Sequence, residues 1–145
     1  MHPWTATMLA NIANVCSDTG RYADAEALHK RARAIYEKSF GPEHPWTVTM
    51  LANIACTYRD AGRYAESANL FGLAQQRFST SLPPRDLAIL RLLVDRGKLH
   101  ALCGENEEAT NDFFEALDAF EALGVRPEYR WAREAREGLA KLKRS

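Results

Sequence analysis

A segment of twenty-two residues occurs twice in this chain, forty-two residues apart: His2 to Ala23 reads HPWTATMLANIANVCSDTGRYA and His44 to Ala65 reads HPWTVTMLANIACTYRDAGRYA, with sixteen positions identical. Self-similarity at a period of roughly 20–50 residues marks architectures built by stacking one supersecondary unit, because a single unit cannot bury its own apolar face. Each copy reads as two antiparallel helices. In the second, Gly41 and Pro42 stop the preceding helix and Pro45 suits a first helical turn, where its missing N–H is no loss. Helix A then runs to about Asp60, with Leu51, Ile54, Ala55 and Tyr58 at i, i+3, i+4 and i+7 on one face. Gly62 closes it, and helix B, from near Tyr64, turns Ser67, Phe71, Ala74 and Phe78 toward helix A.

The same register predicts a third unit. Gly20 and Gly62 require a glycine at 104, Ala32 and Ala74 an alanine at 116, Tyr36 and Phe78 an aromatic at 120, and Leu9 and Leu51 a leucine at 93; all four positions comply. This copy diverges elsewhere, with Arg96 for Ile12 and Ile54, Gly97 for Ala55, His100 for Tyr58 and Pro83-Pro84 for Gly41-Pro42. After Pro127, Trp131, Ala135, Leu139 and Leu142 form one apolar stripe on an otherwise charged helix, which is the pattern of a terminal cap. Residues 105–121 carry seven acidic and no basic side chains, whereas 126–144 carry seven basic against three acidic, so opposite charge is expected to help the cap dock. The expected fold is all-α: an α-α superhelix, or solenoid, of three helix-hairpin repeats (about 2–43, 44–85 and 86–126) plus a capping helix (about 127–143), forming one domain over 1–145.

Composition narrows function mainly by exclusion. Lys plus Arg equals Asp plus Glu, so no global positive field exists to hold a polyanion, and single-stranded RNA binding is only a remote alternative. Cys16, Cys56 and Cys103 are odd in number and form no CxxC, which reads as reduced thiols in a cytoplasmic protein. The first helix is too polar for a secretory signal, and no stretch approaches the roughly 20 apolar residues of a membrane span. His100 and Cys103 lack a second ligand at metal spacing, and no phosphate loop, nucleophile elbow or catalytic carboxylate pair occurs. No enzyme, cofactor or metal is expected.

Leu-x-x-Ile-Ala, the Gly-Arg-Tyr turn and the small–aromatic–small pattern of helix B together resemble the tetratricopeptide repeat. The forty-two-residue period and the F-G-P-E-H-P linker resemble the longer variant found in kinesin light chains. The resemblance implies a concave groove lined by the A helices that holds a peptide from a partner protein. By that family's geometry the groove displays Thr7, Asn11, Asn14 and Ser17, then Thr49, Asn53, Cys56 and Arg59, then Arg91, Asp95, Lys98 and Ala101. Asn11 and Asn53 take the position whose amide can pair with a ligand's N–H and C=O together. Asn14, Asn53 and Arg91 match three positions of the family's carboxylate clamp, but Ala10 and Asp95 occupy the other two, and Asp95 would repel a carboxylate, so a chaperone-tail clamp is not expected. Arg59, Arg91 and Lys98 favour an acidic or mixed acidic and aromatic peptide; the competing reading is that they are solvated or paired with Asp60 or Asp95.

Trp4, Met8 and Val15 form a second stripe on helix A, and their second-repeat equivalents Trp46, Met50 and Thr57 should pack against the preceding helix B. The first repeat has no preceding helix B, so its stripe is expected to be uncovered. Either further repeats lie next to it or two copies stack there as a homodimer. Two readings of function follow. One is a non-catalytic protein–protein interaction module, acting as a scaffold or as the sensing part of a larger protein. The other is a structural self-assembly module working through Trp4, Met8 and Val15.

Overall fold

A computed structural model describes residues 2–144, which form seven helices: α1 (Pro3–Asp18), α2 (Tyr22–Phe40), α3 (Pro45–Asp60), α4 (Tyr64–Ser81), α5 (Leu87–Leu102), α6 (Asn106–Ala122) and α7 (Arg130–Lys143). The fold is all-α, a set of helix hairpins of the α-solenoid type followed by one further helix. Each A helix starts from the same kind of cap. His2 and His44 accept the backbone N–H of Trp4 and Trp46 through Nδ1, both at 3.1 Å, and Asp86 accepts that of Ala88 through Oδ1 at 2.9 Å. The forty-two-residue register therefore extends to the caps, and a side-chain acceptor satisfies one of the helix's orphan donors each time. Each A helix also ends alike: Gly62 takes φ +81°, and the next N–H, that of Arg63, donates to the Tyr58 carbonyl at 2.9 Å; Gly20 and Gly104 repeat the arrangement.

The chain divides into two compact units, one ending at Leu82 and the other beginning at Pro83. In the first, α1 pairs with α2, α3 with α4, and α2 packs on α3. Leu51, Ile54, Ala55 and Tyr58 are buried, as are Ser67, Phe71, Ala74 and Phe78 on α4, so both helix faces lie where the periodicity puts them. Ser67 donates from Oγ to the Ala55 carbonyl at 2.7 Å, which satisfies the one hydroxyl in that α4 stripe. Met50 joins Ala6, Ala10, Ala32 and Tyr36 in a cluster across the two hairpins. Tyr58 and Arg63 both donate to Glu26 of α2, at 2.7 and 2.6 Å. Burial pushes the Glu26 carboxyl up, but the bonds from Lys30 and Tyr58 and the charges of Lys30 and Arg63 outweigh it and leave it below the usual carboxylate value.

One buried group in this unit departs from its repeats. His29 stands where Phe71 and Phe113 stand one and two periods later; it is fully buried, and neither ring nitrogen has a hydrogen-bond partner among the described residues. Burial alone pushes its pKa below the ordinary histidine value.

The second unit contains α5, α6 and α7. Leu90, Leu93, Val94, Phe113, Ala116 and Phe120 form its centre, with Trp131, Leu139 and Leu142 half-buried against them and Ala132 and Ala135 fully enclosed. The apolar stripe of the last helix thus faces the repeat, as a cap requires. Phe113 fits only because two glycines face it: a Cβ on Gly97 or Gly138 would lie 2.7 or 2.5 Å from its ring. Arg96, in the register of Ile54, forms a two-pronged ion pair with Asp112, in the register of Leu70, at 2.9 and 2.7 Å. His100 is half-buried, with Nδ1 3.0 Å from the Glu105 carboxylate. An ion pair between Lys98 and Glu134 ties α7 to α5.

Candidate functional site

In the first unit the A-helix face carries mostly uncharged polar groups. Thr7, Asn11 and Asn14 on α1 are exposed, while Thr49, Asn53, Cys56 and Arg59 on α3 are half-buried. Thr7 Oγ1 and the Tyr36 hydroxyl share a hydrogen bond of 2.7 Å, and Thr49 donates to the Pro45 carbonyl at 2.8 Å. Arg59 lies 3.3 Å from Asp60, with a side chain only 11% exposed. Among the described residues no hydrogen bond involves the side-chain amides of Asn11, Asn14 or Asn53. Asn53 therefore offers a donor and an acceptor together from a partly enclosed position.

In the second unit the corresponding face of α5 meets the last helix. The indole of Trp131 lies among three cations: Arg91 at 4.7 Å, Arg130 at 4.8 Å and Lys98 at 5.7 Å from its ring centre. Lys98 and Arg130 also pair with Glu134. Burial raises that carboxyl, yet the hydrogen bonds and charges of these two residues hold it below its ordinary value. Arg91 is exposed and held against the ring, and Asp95 is half-buried beside it on α5. In the sequence Trp131 is legible only as a packing residue; the spacing of Arg91 and Lys98 gives no sign of a shared aromatic.

On the outer face of α1, Trp4 is 78% exposed, Met8 62%, Ile12 50% and Val15 61%. In the next repeat Met50 and Thr57 are buried at 8% and 4%, whereas Trp46 remains 59% exposed. Trp46 does touch the preceding helix B, its ring edge-on to Phe40 at 5.1 Å, but most of it faces outward. Ile12 belongs to the exposed stripe, although the spacing of Trp4, Met8 and Val15 does not single it out.

Between the two exposed tryptophans lies a cavity of about 410 Å³, lined by His2, Trp4, Thr7, Tyr36, Trp46, Thr49 and Met50. The sequence signal for it is the doubled His-Pro-Trp, which sets one tryptophan at the second residue of α1 and another at the second residue of α3.

The family model of the tetratricopeptide repeat matches residues 4–79, more than half of the chain. The chain belongs to the tetratricopeptide repeat family. Solved structures agree on the fold: kinesin light chain nearly identical TPR-like repeats of Podosopora anserina superpose with a TM-score of 0.84 at 19% identity, over 97% of this chain and 66% of that one. A single-substitution variant of that protein gives the same TM-score and identity over 98% of this chain. BtubC (BKLC) from P. vanneervenii superposes with a TM-score of 0.68 at 13% identity, covering 96% of this chain. The chain spans about two thirds of the length of these structures, 66% of the first two and 62% of the third. No curated protein matches it at a significant level.

Tetratricopeptide repeats generally mediate protein–protein interaction, and folds of this kind are typically non-catalytic. Among the described residues no group of three or more His, Cys, Asp or Glu is placed to hold a metal ion. Among the described residues the three cysteines form no disulfide, and Cys103 is pushed up by burial and by the Glu105 carboxylate, away from a reactive thiolate. Among the described residues no helix is long and apolar enough to cross a membrane.

Proposed function

We propose that this tetratricopeptide repeat protein is a non-catalytic module that binds a peptide or protein segment on its A-helix faces, as a scaffold or as the sensing part of a larger protein. The observation that carries this reading is the amide of Asn53, half-buried on α3 and unbonded among the described residues, with Asn11, Asn14, Thr7, Thr49 and Arg59 on the same side of the repeats. A side-chain amide in that position can align a peptide backbone without selecting its sequence. In the second unit, Arg91, Lys98 and Arg130 outnumber Glu134 and Asp95, and Arg91 is already held in place by Trp131, so an acidic segment is the favoured guest there. The zero net charge argues against nucleic acid. A cytoplasmic location forms part of the reading and is supported by three cysteines that form no disulfide among the described residues.

A random-peptide library panned on the wild-type protein tests this. Acid-rich sequences should be enriched; Arg91→Ala should weaken peptides bound at the second unit and Asn53→Ala those bound at the first, while unfolding stability stays within about 0.5 kcal/mol, as for surface changes away from packing. Enrichment that survives both substitutions would overturn it.

A second reading, self-assembly through the outer face of α1, is favoured by the exposure of Trp4, Met8 and Val15 together with Ile12. Light scattering across a concentration series should then show a dimer that Trp4→Glu dissolves. A monomer at every concentration removes this reading.

A further inference from the structure

The outer stripe of α1 and the matching stripe of α3 have nearly the same sequence but not the same surroundings. Met8 is 62% exposed where Met50 is 8%, and Ile12 50% where Ile54 is 2%. On α3 the cover is visible: α2 packs against it, with Ala32 and Tyr36 in one cluster with Met50 and with Phe40 edge-on to Trp46 at 5.1 Å. A helix with one side in water carries charged residues on that side. Yet α1 has no charged side chain between residues 4 and 17, as α3 has none between 46 and 58. The exposed helix has the sequence of the enclosed one.

The turn after each A helix adds a charge to this match. Arg63 pairs with Glu66 on its own hairpin and reaches back to Glu26 of the covering helix, both at 2.6 Å. Arg21, one period earlier, repeats the first pair with Asp24 at 2.7 Å, and among the described residues its ion pairs stop there. The position that Glu26 takes beside Arg63 therefore has no equivalent beside Arg21, whose side chain is 67% exposed. A guest that reproduces the contacts of α2 is a helix with an acid for Arg21 and, six, ten and fourteen residues later, a small side chain and two aromatics, the spacing of Glu26, Ala32, Tyr36 and Phe40. The α1 of a second copy is a poorer match, because between residues 4 and 17 it brings no acid and no aromatic besides Trp4.

We infer that the outer face of α1, together with Arg21, is a docking site for an amphipathic helix of a partner protein that presents this acid, alanine and two aromatics. The guest runs antiparallel to α1, its C-terminal aromatic at Trp4 and its acid at Arg21, as Phe40 meets Trp46 and Glu26 meets Tyr58 and Arg63. Met8 and Ile12 become enclosed, while Trp4 stays partly in water, as Trp46 does under α2. This surface goes beyond the peptide face of the interaction module and uses none of its groove residues.

The chain supplies its own probe: a blocked peptide with the sequence of residues 22–40, held helical by a covalent bridge between positions 27 and 31, which are exposed in α2. Titrated into the nitrogen-15-labelled full chain, it should move the Trp4 indole N–H and the amides of Met8, Ile12 and Val15 and spare Trp131. Met8→Glu in the chain should weaken binding by about tenfold or more with an unchanged far-UV spectrum, since this side chain is exposed. Arg21→Glu should weaken it by about fivefold or more, and a peptide carrying Glu26→Arg should invert the order, binding the Arg21→Glu chain more tightly than the wild type. No shift at millimolar peptide, shifts on α3 or α5 instead, full affinity in Met8→Glu, or the same order of affinities with both peptides overturns the assignment. A wild-type dimer that hides these residues from the peptide gives the face to a second copy and overturns it as well. Failure of the helical peptide while acid-rich peptides still bind and still depend on Asn53 removes this inference alone and leaves the peptide-face reading standing.

Discussion

Three glycines lie inside helices of this protein, and the structure assigns opposite signs to their replacement by alanine. Gly72, on α4, has open space where a Cβ would go, so Gly72→Ala should return the ordinary helix preference of alanine over glycine, a gain of about 0.5–1 kcal/mol. Gly97 and Gly138 face the same ring from α5 and α7. A Cβ on Gly97 would stand 2.7 Å from Cε1 of Phe113 and 3.0 Å from Cδ1; one on Gly138 would stand 2.5 Å from Cζ and 2.6 Å from Cε2. Carbon atoms prefer about 3.5–4.0 Å, so the ring would have to move by roughly 1 Å. Phe113 is fully buried, and both glycines approach the same part of its ring, Cε1 and Cζ. Overpacking of this kind typically costs about 1–3 kcal/mol, from which the helix gain must be subtracted, so each substitution should be destabilising by about 1–2 kcal/mol. The double variant should depart from the sum of the two, because both substitutions press on one ring. Urea unfolding followed by far-UV circular dichroism reads all four variants. If Gly138→Ala raises the midpoint as Gly72→Ala does, the approach of Gly138 to Phe113 and the docking of α7 are wrongly described.

His29 should make the protein acid-sensitive. Its folded pKa lies below the ordinary 6.5, so the buried ring stays neutral while the unfolded chain protonates; stability is fully present above about pH 6.5 and is lost as pH falls toward the folded pKa, by at most about 1.4 kcal/mol per pH unit. His29→Phe, which restores the side chain of the other two repeats, should raise stability by about 1–3 kcal/mol by removing unpaired nitrogens and should flatten that dependence; unfolding midpoints at pH 7.5 and 5.5 would show it. Asp112→Leu alone should destabilise strongly, by about 3 kcal/mol or more, because it removes the carboxylate that Arg96 grips at two points, whereas Arg96→Ile with Asp112→Leu, the Ile–Leu pairing in the register of Ile54 and Leu70, should recover most of the loss; a double-mutant cycle in urea gives the coupling. Leu51→Ala should cost about 2–5 kcal/mol through the cavity left at a fully enclosed site, and a much smaller loss by calorimetry would contradict the face assignment of α3.

The hairpins, their buried faces and the third repeat are legible in the sequence because helical periodicity reports burial directly, and a strict register carries it from Leu51 to Leu93 and from Phe78 to Phe120. What depends on geometry between elements is not. Arg96 stands out as a charge in an isoleucine position, but its partner lies on another helix sixteen residues on, and only the hairpin brings Asp112 to it. The stripe of α7 gives the side that docks without its crossing direction, so Trp131 reads as packing and not as the ring beneath Arg91 and Lys98. The histidine caps escape a reading of the sequence because histidine is not among the usual N-cap residues, although its Nδ1 reaches the same N–H that Asp86 reaches in the third repeat. The aromatic cavity escapes it for a related reason: the register presents Trp4 and Trp46 as equivalents on separate surfaces, whereas side-by-side repeats make them neighbours.

The central claim is that the A-helix face receives a peptide. Chemical-shift mapping of the wild-type chain with an acid-rich peptide from the library, with solution mass measured on the same sample, tests it most directly. The account predicts a monomer whose perturbed amides lie on an A-helix face, that of Asn11, Asn14 and Asn53 in the first unit or that of Arg91 in the second. Shifts confined to Trp4, Met8, Ile12 and Val15, accompanied by a doubling of mass, would contradict it.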